Sequence, residues 1–326
     1  MPEAPRTEIA DLEGTEALDQ VFLLTNVELR QTKAGGNFLS LELSDRSGRM
    51  QAKVWDNADA VMKKIKAGDF VRVRGQAKIY NKRLDMSVHS IVTVDEKTVD
   101  KSVFVPRSQK DVGELQAAYR EIVNGVKNAW LKTLLRTFTE DPEWFARFCE
   151  SPAAVRLHHA CVGGLLEHVV TLSRLAIAIS PFYPNLDRDL LLTGIFLHDV
   201  GKVRELTTDK GFQYTDEGRL VGHIAIGSQM LEEVVRGIPD FPEDLRLRLQ
   251  HMVLSHHGEL EYGSPVLPAT MEAVALHHLD NLDAKIYAFD QAMRESTTGA
   301  ESWTEYNKMF ERYLYKGPPG HSRENP

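Results

Sequence analysis

The chain has 326 residues, 42% hydrophobic and 26% charged, the balance of a soluble globular protein with room for two domains. Its formal net charge of −8 does not mark the whole chain as a nucleic-acid binder, and two cysteines, Cys149 and Cys161, without a CxxC pair exclude a disulfide framework and a thiolate zinc site. The polar start MPEAPRTEIADLEG lacks the apolar region of a signal peptide, and no uncharged run reaches the ~20 residues that cross a bilayer, so a cytoplasmic protein with no membrane partner is expected.

Charge is unevenly spread. Between Gln20 and Asp95, 13 Lys and Arg face 8 Asp and Glu, a balance of +5, which leaves −13 for the rest. A basic N-terminal third suggests that this part meets a polyanion.

Residues 1–19 are a polar lead-in, and strand-like text follows. Val21–Leu29 is apolar and β-branched, Phe38–Leu43 and Met50–Trp55 alternate apolar with polar, and turn residues separate them. Asn57–Ile65 reads as a short helix. Phe70–Arg74 reads as the next strand, and Ala77–Tyr80 with Leu84–Val94 as a final pair around Asn81 to Arg83. Short strands at this spacing, with one helix between the third and fourth, predict a small closed all-β barrel over 15–95.

The run FLSLELSDRSGRMQAKVWD resembles the second and third strands of an oligonucleotide-binding (OB) fold. The resemblance implies single-strand binding, with aromatics for stacking and cations for the backbone. The candidate groups are Lys33, Phe38, Trp55, Arg72, Arg74, Tyr80, Lys82 and Arg83. The competing reading makes Phe38 and Trp55 core aromatics, and Arg72 and Arg74 the solvated face of a strand.

Residues 96–111 are charged and aperiodic and read as a linker. From Val112 the text is helical, with apolar residues recurring at three and four, so an all-α domain is expected over 112–316. Pro142 falls in a first helical turn, where it is tolerated. The Gly- and Pro-rich 317–326 reads as a disordered tail. The helical part has enough apolar surface for self-association into a homo-oligomer, without marking an interface.

Within that domain LLLTGIFLHDVGK, Leu190 to Lys202, places His198 beside Asp199 at the end of an apolar helix. Burying both without partners would be costly. A metal ion removes the cost by taking a neutral imidazole nitrogen and an ionised carboxylate oxygen together. Ten of the twelve histidines fall between His158 and His278, and His168, His223, His256 and His257 share the apolar setting. Asp280 and Asp283 lie three apart, on one helical face. Each buried group needs a partner, and a shared metal supplies one for all.

The order H…HD…H…HH…D resembles the HD phosphohydrolase superfamily. The resemblance implies that His168, His198, Asp199 and Asp280 hold one divalent ion and that Asp199 bridges to a second held by His223 and His256. His257 is either a ligand of that ion or a contact to substrate phosphate. HHACVGGLLEHVV, HDVGKVREL, GRLVGHIAIG, LSHHGELEYGSPVLP and EAVALHHLDNLDAK, behind an OB-like domain, resemble the YhaM family of 3′→5′ exoribonucleases over about residues 15–315. This implies hydrolysis of single-stranded RNA, and of DNA as a second substrate, to nucleoside 5′-monophosphates. Imidazole and carboxylate without thiolate suit Mn²⁺ first, then Co²⁺, Fe²⁺ or Mg²⁺, and two such ions activate water and clamp a phosphodiester. By the same analogy Lys202 neutralises a phosphate oxygen, against a reading as a solvated helix-end lysine. Asp283 orients a ligand or accepts a proton, and His159 with Gly163–Gly164 admits substrate. Two other classes compete: an HD-type hydrolase of a small or cyclic nucleotide with a regulatory barrel, and a non-catalytic single-strand binder with a relict site. No GYP follows the HD pair, which disfavours the cyclic-dinucleotide branch.

Overall fold

In the computed structural model the described residues are 6–32, 35–80, 83–105, 107–108, 110–155, 159–208, 211–294, 296, 298–299 and 301–318. They form two compact units, Met1–Pro106 with Phe289–Pro326, and Arg107–Ala288. The division differs from the one drawn on the sequence: residues 289–316 group with the barrel.

The first unit is built on strands β1 (Ala17–Gln31), β2 (Asn37–Asp45), β3 (Gly48–Val54), β4 (Phe70–Tyr80) and β5 (Arg83–Thr93), closed in the order β1-β2-β3-β5-β4. Helix α1 (Ala58–Met62) lies between β3 and β4 in the chain. All pairings are antiparallel except β3 with β5. Alternation does the work: Leu39, Leu41 and Leu43 point inward with Met50, Ala52, Val71, Val73 and Met86, all within 1% of complete burial. Full burial of each large side chain contributes about 1.5–3 kcal/mol before the entropy of ordering it.

β4 runs unbroken from Phe70 to Tyr80, where the sequence suggests two segments. The register against β5 shifts between Arg74 and Gly75, and a Cβ at Gly75 would lie 2.3 Å from the Ser87 carbonyl oxygen. Gly75 is therefore a point of close backbone approach within one strand, not a break. Part of the stretch read as a linker also packs: Phe104 is 2% exposed, edge-on to Phe70 at 5.1 Å in a cluster with Leu23.

The second unit is helical: α2 (Val112–Gly125), α3 (Ala129–Glu140), α4 (Pro142–Glu150), α5 (Gly164–Ile179), α6 (Arg188–Leu197), α7 (Lys202–Glu205), α8 (Asp216–Val221), α9 (His223–Arg236), α10 (Glu243–Ser255) and most of α11 (Met271–Arg294). Two short strands, β6 (Leu206–Thr207) and β7 (Gln213–Tyr214), pair between α7 and α8. Asp141 caps α4 by accepting from Glu143 and Trp144 N–H, and Pro142 takes the first turn. Leu190 to Leu197 of α6 are buried without exception, as expected of a helix apolar all round at a domain centre. Phe196 anchors it among Tyr119, Phe138 and Phe148, with ring centroids 5.1–5.4 Å away. Gly164–Phe182 is long and apolar enough to pass for a membrane span, but Leu165, Leu166, Val169, Val170 and Leu172 of α5 sit in this core. Of the tail, Gly317 and Pro318 are described and the remainder lies outside the described residues.

Candidate metal centre and nucleic-acid face

The packing of α6 delivers His198 and Asp199 at its C-terminal end, both at most 2% exposed. His198 Nδ1–H donates to the Ile195 carbonyl at 2.6 Å, which turns Nε2 inward. That atom lies 3.3 Å from His168 Nε2 of α5, which is itself 3.3 Å from Asp280 Oδ1 of α11. His168, His198 and Asp280 thus present ligand atoms within 4.8 Å of one another. His223, His256 and His257 form a second such group. Asp199 lies between the groups: Oδ2 is 3.3 Å from His198 Nε2, and Oδ1 is 3.6 Å from His223 Nε2 and 3.8 Å from His256 Nε2.

Three atoms test whether the residues fit a cation. Asp199 Oδ1, His223 Nε2 and His256 Nε2 are buried and have no hydrogen-bond partner. Each unsatisfied buried polar group costs about 1–3 kcal/mol. The remaining ring nitrogens are engaged elsewhere: His256 Nδ1 faces the Val253 carbonyl at 2.8 Å, His257 Nδ1 the Tyr262 carbonyl at 2.7 Å, and His223 Nδ1 faces Glu205 Oε1 at 3.1 Å. Two imidazole nitrogens within 3.6–3.8 Å of one carboxylate oxygen, each ring held at its other nitrogen, are the kind of donor arrangement that a metal ion requires. The residues fit divalent cations.

The electrostatics agree. Burial opposes charge on Asp199, yet Lys202 and His198 hold its carboxyl well below the usual range. Burial opposes protonation of His168, but Asp280 and Asp283 push it up to about 9. Burial keeps His256 well below the ordinary histidine value, so its imidazole is neutral.

Lys202 is 9% exposed and donates to Asp199 Oδ2 at 2.6 Å, so it is not a solvated helix-end lysine. Asp283 Oδ2 accepts from His168 Nδ1 at 2.7 Å and His159 Nε2 at 3.0 Å, which places it behind the His168 ring. His159 is 3% exposed with φ of 53°, closed off from solvent. Gly163 and Gly164, read as room for substrate, make room for the chain itself: Gly163 takes φ of 84°, and a Cβ on Gly164 would lie 2.0 Å from the His159 carbonyl oxygen. Glu205 was not singled out in the sequence. It accepts from both the backbone N–H and the ring of His223, and the only signal was its place in HDVGKVREL, six residues past Asp199. His277 Nδ1 faces the His256 carbonyl at 3.0 Å, a supporting contact.

The barrel candidates separate. Phe38 and Trp55 stack with centroids 4.9 Å and planes 25° apart, and Trp55 is 45% exposed, so the pair lies on the outer surface beside β2 and β3. Tyr80 is 58% exposed with Lys53 Nζ 5.4 Å from its ring centroid, and Lys53 also ion-pairs with Asp85. Arg72 and Arg74 lie on β4 beside β1, each bonded to Asp19 at 2.7 Å, not on the β2–β3 pair. Lys33 and Lys82 lie outside the described residues, as does the side chain of Arg83.

Residues 24–94 match the family model of the OB-fold nucleic acid binding domain, and residues 165–285 that of the HD domain. Among solved structures, the second OB-fold domain of replication protein A from Methanococcus maripaludis is 23% identical, with 29% of this chain and 98% of that one covered at a TM-score of 0.24. PriB from Ralstonia solanacearum is 19% identical over 24% of this chain and 96% of its own, at 0.22. The HD domain of the L. monocytogenes phosphodiesterase PgpH is 17% identical over 52% of this chain and 81% of its own, at 0.29. The chain thus carries an OB-fold nucleic acid binding domain over residues 24–94 and, after it, a helical HD domain over residues 165–285.

Proposed function

We propose that the protein is a divalent-metal-dependent 3′→5′ exonuclease of single-stranded RNA, with single-stranded DNA as a second substrate, releasing nucleoside 5′-monophosphates in the cytoplasm. The observation that carries this reading is the convergence of Asp199 Oδ1, His223 Nε2 and His256 Nε2, all without partners, beside the group of His168, His198 and Asp280, in a chain that also has an OB domain. His168, His198, Asp199 and Asp280 would hold one ion, and Asp199, His223 and His256 a second, with Mn²⁺ the first candidate. Bound there, such ions supply Lewis-acid charge and a water acidic enough to attack a phosphodiester at neutral pH.

The chain's own groups do the rest. Lys202 balances the charge of Asp199 and holds that carboxylate ionised. Glu205 and Asp283 fix His223 and His168. His223 and His257, only part-buried, mark the side from which substrate reaches the site. The Phe38–Trp55 pair gives bases a face to stack on, and the basic balance of the barrel attracts the phosphate backbone.

The test is incubation of 5′-labelled single-stranded RNA with Mn²⁺ and either the protein or Asp199→Ala. A ladder of 3′ shortening that is absent in the variant is expected. Intact RNA alongside turnover of a small or cyclic nucleotide would replace the reading with the small-nucleotide hydrolase. Binding without turnover of either would reduce the site to a relict.

A further inference from the structure

Behind the metal-facing side of α5 lies a chain of polar contacts of which the chemistry above uses only the link from Asp283 to His168. Asp283 Oδ2 accepts from two imidazoles at once, His168 at 2.7 Å and His159 at 3.0 Å. His159 Nδ1 in turn lies 3.7 Å from Glu167 Oε2. Glu167 is fixed by the Ser108 hydroxyl at 2.7 Å and Lys110 Nζ at 3.0 Å. Burial opposes its charge, but His159, Ser108 and Lys110 hold its carboxyl down to about 2. The series runs from the edge of the unit at Lys110, through Glu167, His159 and Asp283, to the ligand His168.

Two features say that this arrangement is held against a cost. His159 adopts a left-handed backbone conformation that a non-glycine residue avoids. Its carbonyl also occupies the space where a Cβ on Gly164 would stand, and is tied there by Ala153 N–H at 3.1 Å and Cys161 N–H at 2.8 Å. The loop is bent to bring one imidazole, 3% exposed, between two carboxylates. Its ring also lies against Tyr287 at 4.4 Å, which closes the remaining side.

We infer that His159, seated by Glu167, is a positioning residue for the metal centre: it holds Asp283 in the orientation that keeps the Nδ1–H of His168 directed away from the site and Nε2 aimed into it. With only one partner, Asp283 could rotate, and His168 would lose the hydrogen bond that sets its tautomer and ring plane. The influence falls on His168 and so on the ion shared with His198 and Asp280. The group of His223, His256 and His257 has its own supports and is not reached. The inference rests on the metal-centre reading above but not on the identity of the substrate.

The test is calorimetric titration of Mn²⁺ into metal-free protein, with no RNA present. His159→Asn tolerates the left-handed backbone but falls short of Asp283. It is expected to weaken one of two bound ions by about 10–100-fold and leave the other unchanged. His159→Gln, whose amide reaches the place of Nε2, is expected to restore much of the loss. Glu167→Gln should move the same ion in the same direction by less. Should His159→Asn fail to fold, as read by circular dichroism and melting without metal, Glu167→Gln and His159→Gln decide. Unchanged affinities, or equal weakening of both ions, would overturn the assignment. Absence of nuclease activity in wild type would count against the substrate reading and leave this measurement intact.

Discussion

Replacing Gly201 by alanine tests whether the two halves of the centre depend on close contact between the turn that opens α7 and the start of α9. A Cβ at Gly201 would lie 2.1 Å from the His223 carbonyl oxygen and 2.7 Å from the Gly227 amide nitrogen, where ordinary contact begins at 3.4 Å. Both neighbours are backbone, so no side-chain rotation relieves the clash, and the start of α9 must retreat by about 1.3 Å, the difference between those contacts. His223 Nε2 stands 3.6 Å from Asp199 Oδ1, a spacing that one cation between them can span. Metal–ligand lengths tolerate only about 0.2 Å, so the retreat removes His223 from the ligand set. Melting of the metal-free variant should show an overpacking cost of about 1–3 kcal/mol, well short of unfolding. Mn²⁺ titration should fall from two ions to one, and 3′ shortening of labelled RNA should slow by about 100-fold or more. Two ions bound with wild-type affinity by a folded Gly201→Ala would refute the assignment of His223 to the centre.

Trp55→Ala is expected to weaken capture of a long single strand by about 1–3 kcal/mol, one stacked base, with much less effect on cleavage of very short oligonucleotides. Fluorescence anisotropy of a labelled strand and a length series of substrates would check it, and equal loss at all lengths would remove the barrel as a tether. Metal uptake should expel about one proton near pH 7.5, because His168 is protonated up to about 9 in the metal-free protein and a ligand cannot be. Mn²⁺ affinity should therefore rise with pH and level off near 9. Without metal the sign reverses: the raised histidine value stabilises the fold fully below about 6.5, and that stability is lost as pH climbs toward 9. Melting temperatures across this window, with and without metal, separate the two. Burial pushes the Cys149 thiol up to about 11 and the Cys161 thiol up to about 12, so a thiol reagent at pH 8 should label neither until the chain is denatured, and rapid native labelling would contradict their burial.

The barrel and the helical domain were legible because their signals are local. Alternation in FLSLEL and the helical spacing after Val112 report which face is buried within a few residues. The ligands were legible because a histidine or aspartate on an apolar face demands a partner, and their common setting pointed to a shared one. Glu205 was missed because its role depends on a chain reversal through β6 and β7 that returns α9 to it, which no local pattern records. His159 was placed on the substrate for a similar reason. Its contacts with Asp283 and Glu167 arise from a tight loop and a helix more than a hundred residues away. The pairing of Arg72 and Arg74 with Asp19 joins strands 53 and 55 residues apart, so the charge count overstated the cations free to meet a phosphate backbone.

The hydrogen bond from His168 to Asp283 spans 115 residues of chain. Closing a flexible loop of that length costs roughly 4 kcal/mol of chain entropy, more than one such contact returns. The two ends can meet only after α5, α6 and α11 have docked, so the ligand set comes together late in folding. An ion bound there would act as a lock on the finished domain, not a nucleus for it. Chelation should then hasten unfolding while leaving the folding rate nearly untouched.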